Sequence, residues 1–179
     1  MKEVILLYSG GMDSTILLKM ALKFGMKPFC LLLSYGQVHE KELTCAVQNC
    51  VELNVEYTII HIANLKVNSK LIDGVAAYPG VSEWHVPSRN LLFVSIAASI
   101  AESRDTDLIW YGANFADREN LFPDCYQEWV YQVNKILTIN GSSKIKLEAP
   151  LLGFSKKAIL KLAVIFNVQQ DKVFSGYGQ

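Results

Sequence analysis

The chain has 179 residues, 51% of them hydrophobic, and its 17 lysine and arginine residues balance 17 aspartate and glutamate residues. A single domain typically has ~100–200 residues, so this length predicts one folded domain, residues 1–179, and excludes a largely disordered chain. Non-specific binding to a nucleic-acid backbone needs an excess of positive charge. Because the net charge is zero, we expect no direct nucleic-acid binding.

The mean hydropathy of +0.21 invites comparison with membrane proteins. The longest apolar runs, such as Val4–Tyr8, are far shorter than the ~20 residues that a bilayer span needs. The first apolar run also lacks the length and the cleavage site of a signal peptide. We therefore expect a cytoplasmic protein that does not enter the membrane.

Four cysteines occur without C-x-x-C spacing, and in a reducing compartment such residues are usually buried or free thiols. They are Cys30, Cys45, Cys50 and Cys125.

Short apolar runs alternate with helix-period stretches along the chain, which is typical of repeated βα units. Glu3–Tyr8 predicts a buried strand, and Asp13–Phe24 predicts an amphipathic helix that ends at Gly25. The further predicted strands are Phe29–Tyr35, Tyr57–Ile62, Asp107–Tyr111 and Lys144–Leu147, and the further predicted helices are His39–Leu53, Arg89–Ser103, Tyr126–Leu137 and Ser155–Phe166. This order predicts an α/β fold: a doubly wound, mostly parallel five-stranded sheet with helices on both faces.

Ligands of such sheets bind at the carboxyl ends of the strands. The segments predicted at those ends are Ser9-Gly10-Gly11, Tyr35-Gly36-Gln37, Gly112-Ala113-Asn114 and the residues after Leu147. The long connection Ala63–His85 has weak periodicity and a Tyr78-Pro79-Gly80 turn signal, and connections of this length are usually functional or mobile. We interpret it as a candidate lid over the site.

A glycine loop, Ser9–Thr15, joins the first predicted strand to the first predicted helix. Backbone N–H groups and the helix macrodipole at such a position suit phosphate oxygens. Ser9, Ser14 and Thr15 add hydroxyl donors, while Asp13 could cap the helix or help to hold a magnesium ion. The loop is neither a Walker loop nor G-x-G-x-x-G. The alternative is a tight turn that needs glycine for backbone reasons and binds nothing.

The loop resembles the pyrophosphate-binding motif of the adenine-nucleotide alpha hydrolases, the PP-loop ATP pyrophosphatases, which cleave ATP at its alpha phosphate. Further segments resemble one branch of them, the 7-cyano-7-deazaguanine synthase (QueC-like) family. They are Tyr35-Gly36-Gln37-x-His39 with Glu42-Leu43, Val86-Pro87-x-Arg89-Asn90, Gly112-Ala113-Asn114-x-x-Asp117 continuing to Pro123-Asp124-Cys125, and Ala149-Pro150 leading to Ser155-Lys156. Because all stand in that family's order, the chain is identified as QueC-like.

The resemblance implies an adenine-nucleotide alpha hydrolase-like fold, a site for ATP with Mg²⁺, and roles for individual residues. Nucleotide binding falls to Tyr8, Ser9, Gly10, Gly11, Met12, Asp13, Ser14, Thr15 and Gly112; substrate binding falls to Tyr35, Gln37, His39, Arg89, Asn90, Asn114, Asp117 and Asp124; catalysis falls to Asp13, Lys156, Arg89 and Asp124. The planar fork of Arg89 suits a carboxylate or phosphate, and the Lys156 ammonium suits a leaving pyrophosphate. Either could instead be a surface cation near a helix start, and Asp124 could cap the next helix.

Members of the family act on 7-carboxy-7-deazaguanine, ATP and ammonia. The substrate carboxylate is adenylated, ammonia converts the adenylate to an amide, and a second ATP dehydrates the amide to the nitrile. The expected partners are therefore a small deazapurine and ammonia, and a homodimer, because family members are often dimers. Two alternatives stay open: a diverged ligase that joins the deazaguanine carboxylate to another amine, on a protein or nucleic acid, and a non-catalytic nucleotide-binding module.

The sequence departs from the family pattern near its end. Family members continue past a Ser-Cys-Tyr segment into a cysteine cluster that binds structural zinc, whereas this chain has Ser175-Gly176-Tyr177-Gly178-Gln179. Gly176 stands at the position of the first ligand cysteine. Zinc is therefore not expected, and a natural loss of the zinc tail is favoured over a truncation.

Overall fold

The computed structural model of the protein describes residues 1–36, 40–63, 67, 69, 72, 85–115, 122–141, 144–169 and 173. Three predicted site residues, Gln37, His39 and Asp117, lie outside these ranges. So do most of the predicted lid and the segment that departs from the zinc-binding pattern.

Five strands and five helices follow one another along the described chain. The strands are β1 (Glu3–Leu7), β2 (Lys27–Ser34), β3 (Glu56–His61), β4 (Leu108–Trp110) and β5 (Lys146–Glu148); the helices are α1 (Met12–Lys23), α2 (Glu40–Glu52), α3 (Arg89–Ser103), α4 (Gln127–Ile139) and α5 (Lys156–Ile165), with a 3-10 turn at Pro123–Cys125. The strands form one parallel sheet in the order β3-β2-β1-β4-β5. The predicted fold class is confirmed. No helix among the described residues is long and apolar enough to cross a membrane.

Both faces of the sheet are covered, and side chains alternate between them along each strand. In β1, Val4 and Leu6 pack into a layer that contains α1, α2 and α5, whereas Ile5 packs into a layer that contains α3 and α4. All three residues are fully buried. This double burial explains why the strands read in the sequence as continuous apolar runs.

The cysteines take part in these layers as free thiols. Cys30, Cys50 and Cys125 are buried and Cys45 is half-buried, as predicted from their spacing and the expected compartment.

Four helices end with the same turn, in which a residue with positive φ is followed by a bond back to the last helical turn. The residues are Gly25 (φ 70°), Asn54 (51°), Asp105 (52°) and Asn167 (51°). After α1, for example, Met26 N–H donates to the Ala21 oxygen at 3.0 Å. This is the Schellman arrangement, which satisfies carbonyl groups at a helix end. Only the glycine is recognisable from the sequence, because asparagine and aspartate are weaker signals of a left-handed residue.

The order of the strands creates a crevice beside β1. The chain runs outward from β1 through β2 to β3 and then returns to the other side of β1 as β4. The helices that begin after β1 and before β4, α1 and α3, lie in opposite layers. Ligands bind at such topological switch points, at the carboxyl ends of the strands.

Candidate active site

The glycine loop lies at this switch point and is pressed against α2. Gly10 has φ 83°, and a Cβ added there would lie 2.7 Å from the Glu42 main-chain oxygen and 2.9 Å from the Ala46 nitrogen. Gly11 is the N-cap of α1 and receives no side-chain cap. The suggestion that Asp13 caps this helix is therefore wrong, because Asp13 is already the second helical residue and its carboxylate points to other partners.

Hydroxyl groups hold the loop in shape from within. Ser9 Oγ accepts a hydrogen bond from Gly11 N–H at 3.2 Å, and Ser14 Oγ donates to the Gly11 oxygen at 3.1 Å. The two serine oxygens are themselves 3.2 Å apart. The predicted hydroxyl contacts with phosphate would have to replace or supplement these internal bonds.

A buried network supports the loop from below. Tyr8 Oη lies 3.2 Å from Thr15 Oγ1, and Asn49 Nδ2 donates to Tyr8 Oη at 2.9 Å. Burial raises the pKa of Tyr8 above its ordinary value, so the phenol stays protonated. Tyr8 and Thr15 are each 2% exposed, and Met12 packs against the same apolar layer. These side chains therefore support the loop from within the fold, and their predicted part in nucleotide binding stays a prediction.

Asn49 is a supporting residue that the sequence analysis missed. It lies on the face of α2 that carries Ala46 and Cys50, all of them buried. An asparagine among apolar residues at helical spacing was the signal that could have identified it, because buried amides need partners.

Three segments distant in sequence meet around Asp13. Asn114 Nδ2 donates to Asp13 Oδ2 at 3.1 Å, and the Lys156 ammonium at the start of α5 acts on the same carboxylate. A Cβ at Gly112 would lie 3.3 Å from Ser14 N, so glycine lets the end of β4 approach the loop. Burial raises the pKa of Asp13 to about 6, against the opposing effects of the Asn114 hydrogen bond and the Lys156 charge.

The chemistry of this donor set fits a magnesium ion. Mg²⁺ prefers oxygen ligands and is usually bound by one or two carboxylates together with substrate phosphates. Asp13 provides a carboxylate beside the loop, and its hydrogen bond from Asn114 involves Oδ2 only. The other carboxylate oxygen of Asp13 could hold such an ion.

The opposite wall of the crevice carries Arg89, the first residue of α3. Its Nη1 donates to Tyr35 Oη at 3.0 Å, and its guanidinium carbon lies 5.7 Å from the Tyr35 ring centroid and 5.9 Å from that of Phe93. Its Nε also donates to Asn90 Oδ1 at 3.4 Å. Aromatic contacts of this kind hold a cation in place and limit its freedom. Arg89 is thus an oriented cation beside the crevice.

Asp124 lies next to Arg89 through Asn90. Asn90 Nδ2 donates to the Asp124 carboxylate, and Tyr111 Oη donates to the Asp124 main-chain oxygen at 2.8 Å. Asp124 lies in the 3-10 turn, and α4 begins after Tyr126 with no side-chain cap. The suggestion that Asp124 caps α4 is therefore wrong, because the carboxylate is turned toward Asn90.

Glu42, in the first turns of α2, is an ionisable group near the crevice that received no role from the sequence. Its main-chain oxygen touches Gly10, and its carboxyl is affected by the charge of Arg89. Burial raises the pKa of Glu42 to about 7, and Arg89 opposes that rise. The carboxyl group forms no hydrogen bond or ion pair with the described part of the chain. The signal in the sequence was a charged residue one turn before the buried Ala46.

The structure thus brings the predicted residues into two groups. One group consists of Asp13 in the loop with Gly112, Asn114 and Lys156 beside it. The other group forms the second wall and consists of Tyr35, Arg89, Asn90 and Asp124. Among the described residues, no group of three or more His, Cys, Asp and Glu side chains could hold a metal ion by itself. The absence of zinc stays a prediction.

Solved structures share this fold. The chain aligns with a U34-tRNA thiolase, NcsA, from Methanococcus maripaludis, described with its [4Fe-4S] cluster, at a TM-score of 0.60 and 18% identity, covering 99% of this chain and 60% of the thiolase. It also aligns with a predicted subunit of tRNA methyltransferase from Methanocaldococcus jannaschii, at a TM-score of 0.61 and 21% identity, covering 92% and 75% of the two chains. These likenesses concern the fold alone.

Sequence relatives are closer and carry one name, 7-cyano-7-deazaguanine synthase. The protein from Psychromonas ingrahamii is 31% identical over 98% of this chain and 84% of its own length. The corresponding figures are 33%, 98% and 84% for synthase 1 of Colwellia psychrerythraea, and 32%, 99% and 82% for the protein of Caldicellulosiruptor saccharolyticus.

The family model described as queuosine biosynthesis protein QueC matches residues 3–179. This match spans the strands, the glycine loop and both walls of the crevice. The chain belongs to the QueC family.

Proposed function

We propose that this protein is an ATP-dependent carbon–nitrogen ligase that converts 7-carboxy-7-deazaguanine and ammonia to 7-cyano-7-deazaguanine, releasing AMP and pyrophosphate. Its relatives are synthases of that product, which supports an enzyme of queuosine biosynthesis. The observation that carries the proposal is the crevice itself, where the glycine loop with its Asp13 and the neighbouring Lys156 lie on one side and Arg89 lies on the other.

ATP binds at the loop in this proposal. The N–H groups at the start of α1 and the positive end of its macrodipole receive the phosphates, and Lys156 lies beside the leaving pyrophosphate. A bound magnesium ion, held by Asp13, would neutralise negative charge on the phosphates. Asn114 fixes the Asp13 carboxylate at 3.1 Å for that task.

The deazapurine binds against the second wall. Arg89, oriented by Tyr35 and Phe93, pairs with the substrate carboxylate and points it toward the loop. The guanine-like edge of the substrate presents N–H groups, and a carboxylate such as that of Asp124 can accept hydrogen bonds from them. Asn90 holds Asp124 in position through its amide.

The reaction then needs positioning more than covalent chemistry. A substrate carboxylate oxygen forms a bond to the alpha phosphorus as the bond to pyrophosphate breaks, and Lys156 together with the loop N–H groups stabilises the charge on the leaving group. Ammonia displaces AMP from the resulting acyl adenylate and leaves an amide. A second ATP activates the amide oxygen, and loss of AMP leaves the nitrile.

The proposal extends to the domain organisation, localisation and oligomeric state of the protein. Residues 1–179 act as one PP-loop domain in the cytoplasm, as a homodimer, with a small-molecule substrate and without zinc. The apolar layers continuous across the described sheet support a single unit.

The test is product mass. The protein is incubated with ATP, Mg²⁺, 7-carboxy-7-deazaguanine and ammonium, and pyrophosphate and product mass are followed; the control replaces the substrate with a deazaguanine that lacks the carboxyl group. We expect a nitrile mass and carboxylate-dependent pyrophosphate. An amide alone, or a mass joined to an added amine, would instead support the diverged ligase. No substrate-dependent pyrophosphate would contradict an enzymatic role.

A further inference from the structure

We propose that Glu42 is a catalytic base in this site: its carboxylate accepts a proton from nitrogen as ammonia attacks the acyl adenylate. The inference rests on the proposed function and extends it to a residue with no assigned role. It identifies the place where ammonia arrives, between α2 and the guanidinium of Arg89.

The position of Glu42 follows from one contact of its backbone and from one charged neighbour of its carboxyl, which belong to different parts of the fold. Its backbone lies against the phosphate loop, where a Cβ at Gly10 would be 2.7 Å from the Glu42 oxygen. Its carboxyl is affected by the charge of Arg89, which belongs to α3 in the opposite layer. An interaction between helices on opposite faces of a sheet must occur beyond the ends of the strands. Glu42 therefore lies between the loop and the group that holds the substrate carboxylate.

The chemical state of Glu42 suits proton transfer. A general base works best when its pKa is near the working pH, because it is then both ionised and basic. Burial raises the pKa of Glu42 to about 7, while the Arg89 charge limits the rise. Arg89 also reduces the repulsion between the Glu42 carboxylate and the incoming substrate carboxylate.

Asp13 is less suited to this task because its surroundings differ. It accepts a hydrogen bond from Asn114 and is affected by the charge of Lys156, so its carboxylate is engaged on the phosphate side of the crevice. Among the described residues, one half-buried carboxyl is thus directed to the phosphates and a second lies near Arg89.

The amidation step balances with Glu42 as the acceptor. The ammonia lone pair forms the C–N bond, the bond between the acyl carbon and the adenylate oxygen breaks, and AMP leaves with that electron pair. One proton passes from nitrogen to the Glu42 carboxylate, which releases it to solvent afterwards. Conversion of the amide to the nitrile removes the two remaining N–H protons, one on adenylation of the amide oxygen and one as AMP leaves, and Glu42 can accept each in turn.

Adenylation and nitrogen transfer can be measured separately, so the base can be tested apart from the proposed function. Without ammonia, the carboxylate-dependent exchange of radiolabelled pyrophosphate into ATP reports adenylation only. With ammonia, amide and nitrile formation report nitrogen transfer. We expect Glu42→Gln to retain exchange within about twofold and to lower amide formation by about 10²–10⁴-fold, the range typical of a lost general base. Glu52→Gln, at the exposed end of the same helix, is the matched control and should change neither rate.

Chemical rescue provides a second readout. Glu42→Ala should also lose amide formation, and added formate should restore part of it by replacing the missing carboxylate. Unchanged amide formation in Glu42→Gln would overturn the inference, as would equal loss of exchange and amide formation in both Glu42 variants. A wild-type protein without exchange would overturn the proposed function and this inference together.

Discussion

At the scale of single residues, two adjacent lysines open α5 in different electrostatic surroundings. Both Lys156 and Lys157 are exposed, but only Lys156 acts on the half-buried carboxylate of Asp13. The first position of a helix that starts beside the crevice turns one side chain toward the loop, and the next position is rotated by about 100° around the axis. Sequence alone identified Lys156 through the family resemblance.

Lys156→Ala should lower the turnover rate of pyrophosphate formation by about 10²–10³-fold, because one group that stabilises the leaving charge is lost. Steady-state release of pyrophosphate measures the effect. Lys157→Ala is the matched control and should leave the rate unchanged. Equal rates in both variants would show that Lys156 has no part in the reaction.

At the scale of elements, α2 supports the glycine loop along one face. Glu42, Ala46 and Asn49 are spaced at helical intervals, and each contacts the loop or the tyrosine beneath it. The conformation of the loop therefore depends on a helix that follows β2 in the chain. This contact explains why no side chain fits at Gly10, and its φ of 83° is a second, separate reason for glycine there.

A comparison of Gly10→Ala with Gly25→Ala distinguishes the effect of positive φ from the effect of the contact with α2. Both glycines have positive φ, but a Cβ at Gly25 meets nothing within 4 Å, whereas one at Gly10 meets the backbone of α2. Gly25→Ala should lower the free energy of unfolding by about 1–2 kcal/mol through conformation alone. Gly10→Ala should cost about 2–5 kcal/mol, because overpacking adds about 1–3 kcal/mol, and should abolish pyrophosphate formation. Urea unfolding measures the difference, and equal losses of stability would argue against a tight contact between loop and helix.

At the scale of the whole molecule, an ionic network joins the amino-terminal ends of the strands, which lie opposite the crevice. Arg104, after α3, donates to Glu3 at the start of β1 and to Glu56 at the start of β3, each at 2.9 Å. Thr106 Oγ1 donates to Glu3 at 2.6 Å, and Lys27 lies 3.3 Å from the same carboxylate. The Arg104 guanidinium also lies 3.9 Å above the Phe29 ring. Three strands and one helix end are joined through one arginine.

This network predicts that the free energy of unfolding depends on pH, and that its disruption leaves activity near neutral pH unchanged. The Arg104 hydrogen bonds lower the pKa of Glu3 from 4.5 to about 2. A lowered pKa stabilises the folded state above the unfolded value, and the contribution is lost as the pH falls from about 4.5 toward 2. Glu3→Gln should lower the free energy of unfolding by about 1–2 kcal/mol near neutral pH, a range that allows for the partial exposure of the network. The difference in this free energy between the variant and the wild type should become smaller below about pH 4.5. Urea unfolding at several pH values measures it.

Asp107→Asn is the control for that experiment. Asp107 pairs with Lys2 at 3.4 Å, and both side chains are more than half exposed, so its loss should change stability by less than about 0.5 kcal/mol. Pyrophosphate formation near neutral pH should be unaffected in both variants. A constant gap between Glu3→Gln and wild type across the acid range would contradict the role of Glu3.

The sequence by itself determined the βα alternation, the glycine loop and the family, because apolar periodicity and short motifs are local. It predicted each of the described strands and helices to within two residues at either end. It could not show that Asn114 holds Asp13, 101 positions away, or that Asn49 supports Tyr8. Those contacts depend on strand order and register, which follow from packing both faces of the sheet at once.

The same physical reason separates Glu42 from the other residues. In the sequence it belongs to a segment that resembles the family, but neither that segment nor its place on an amphipathic helix indicates a chemical role. Only the tertiary structure partly buries Glu42 and sets its carboxyl near Arg89, since α2 and α3 cover opposite faces and converge beyond the carboxyl ends of the strands. Its chemical character comes from that convergence, because the pKa of a carboxyl group is decided by burial and neighbouring charge.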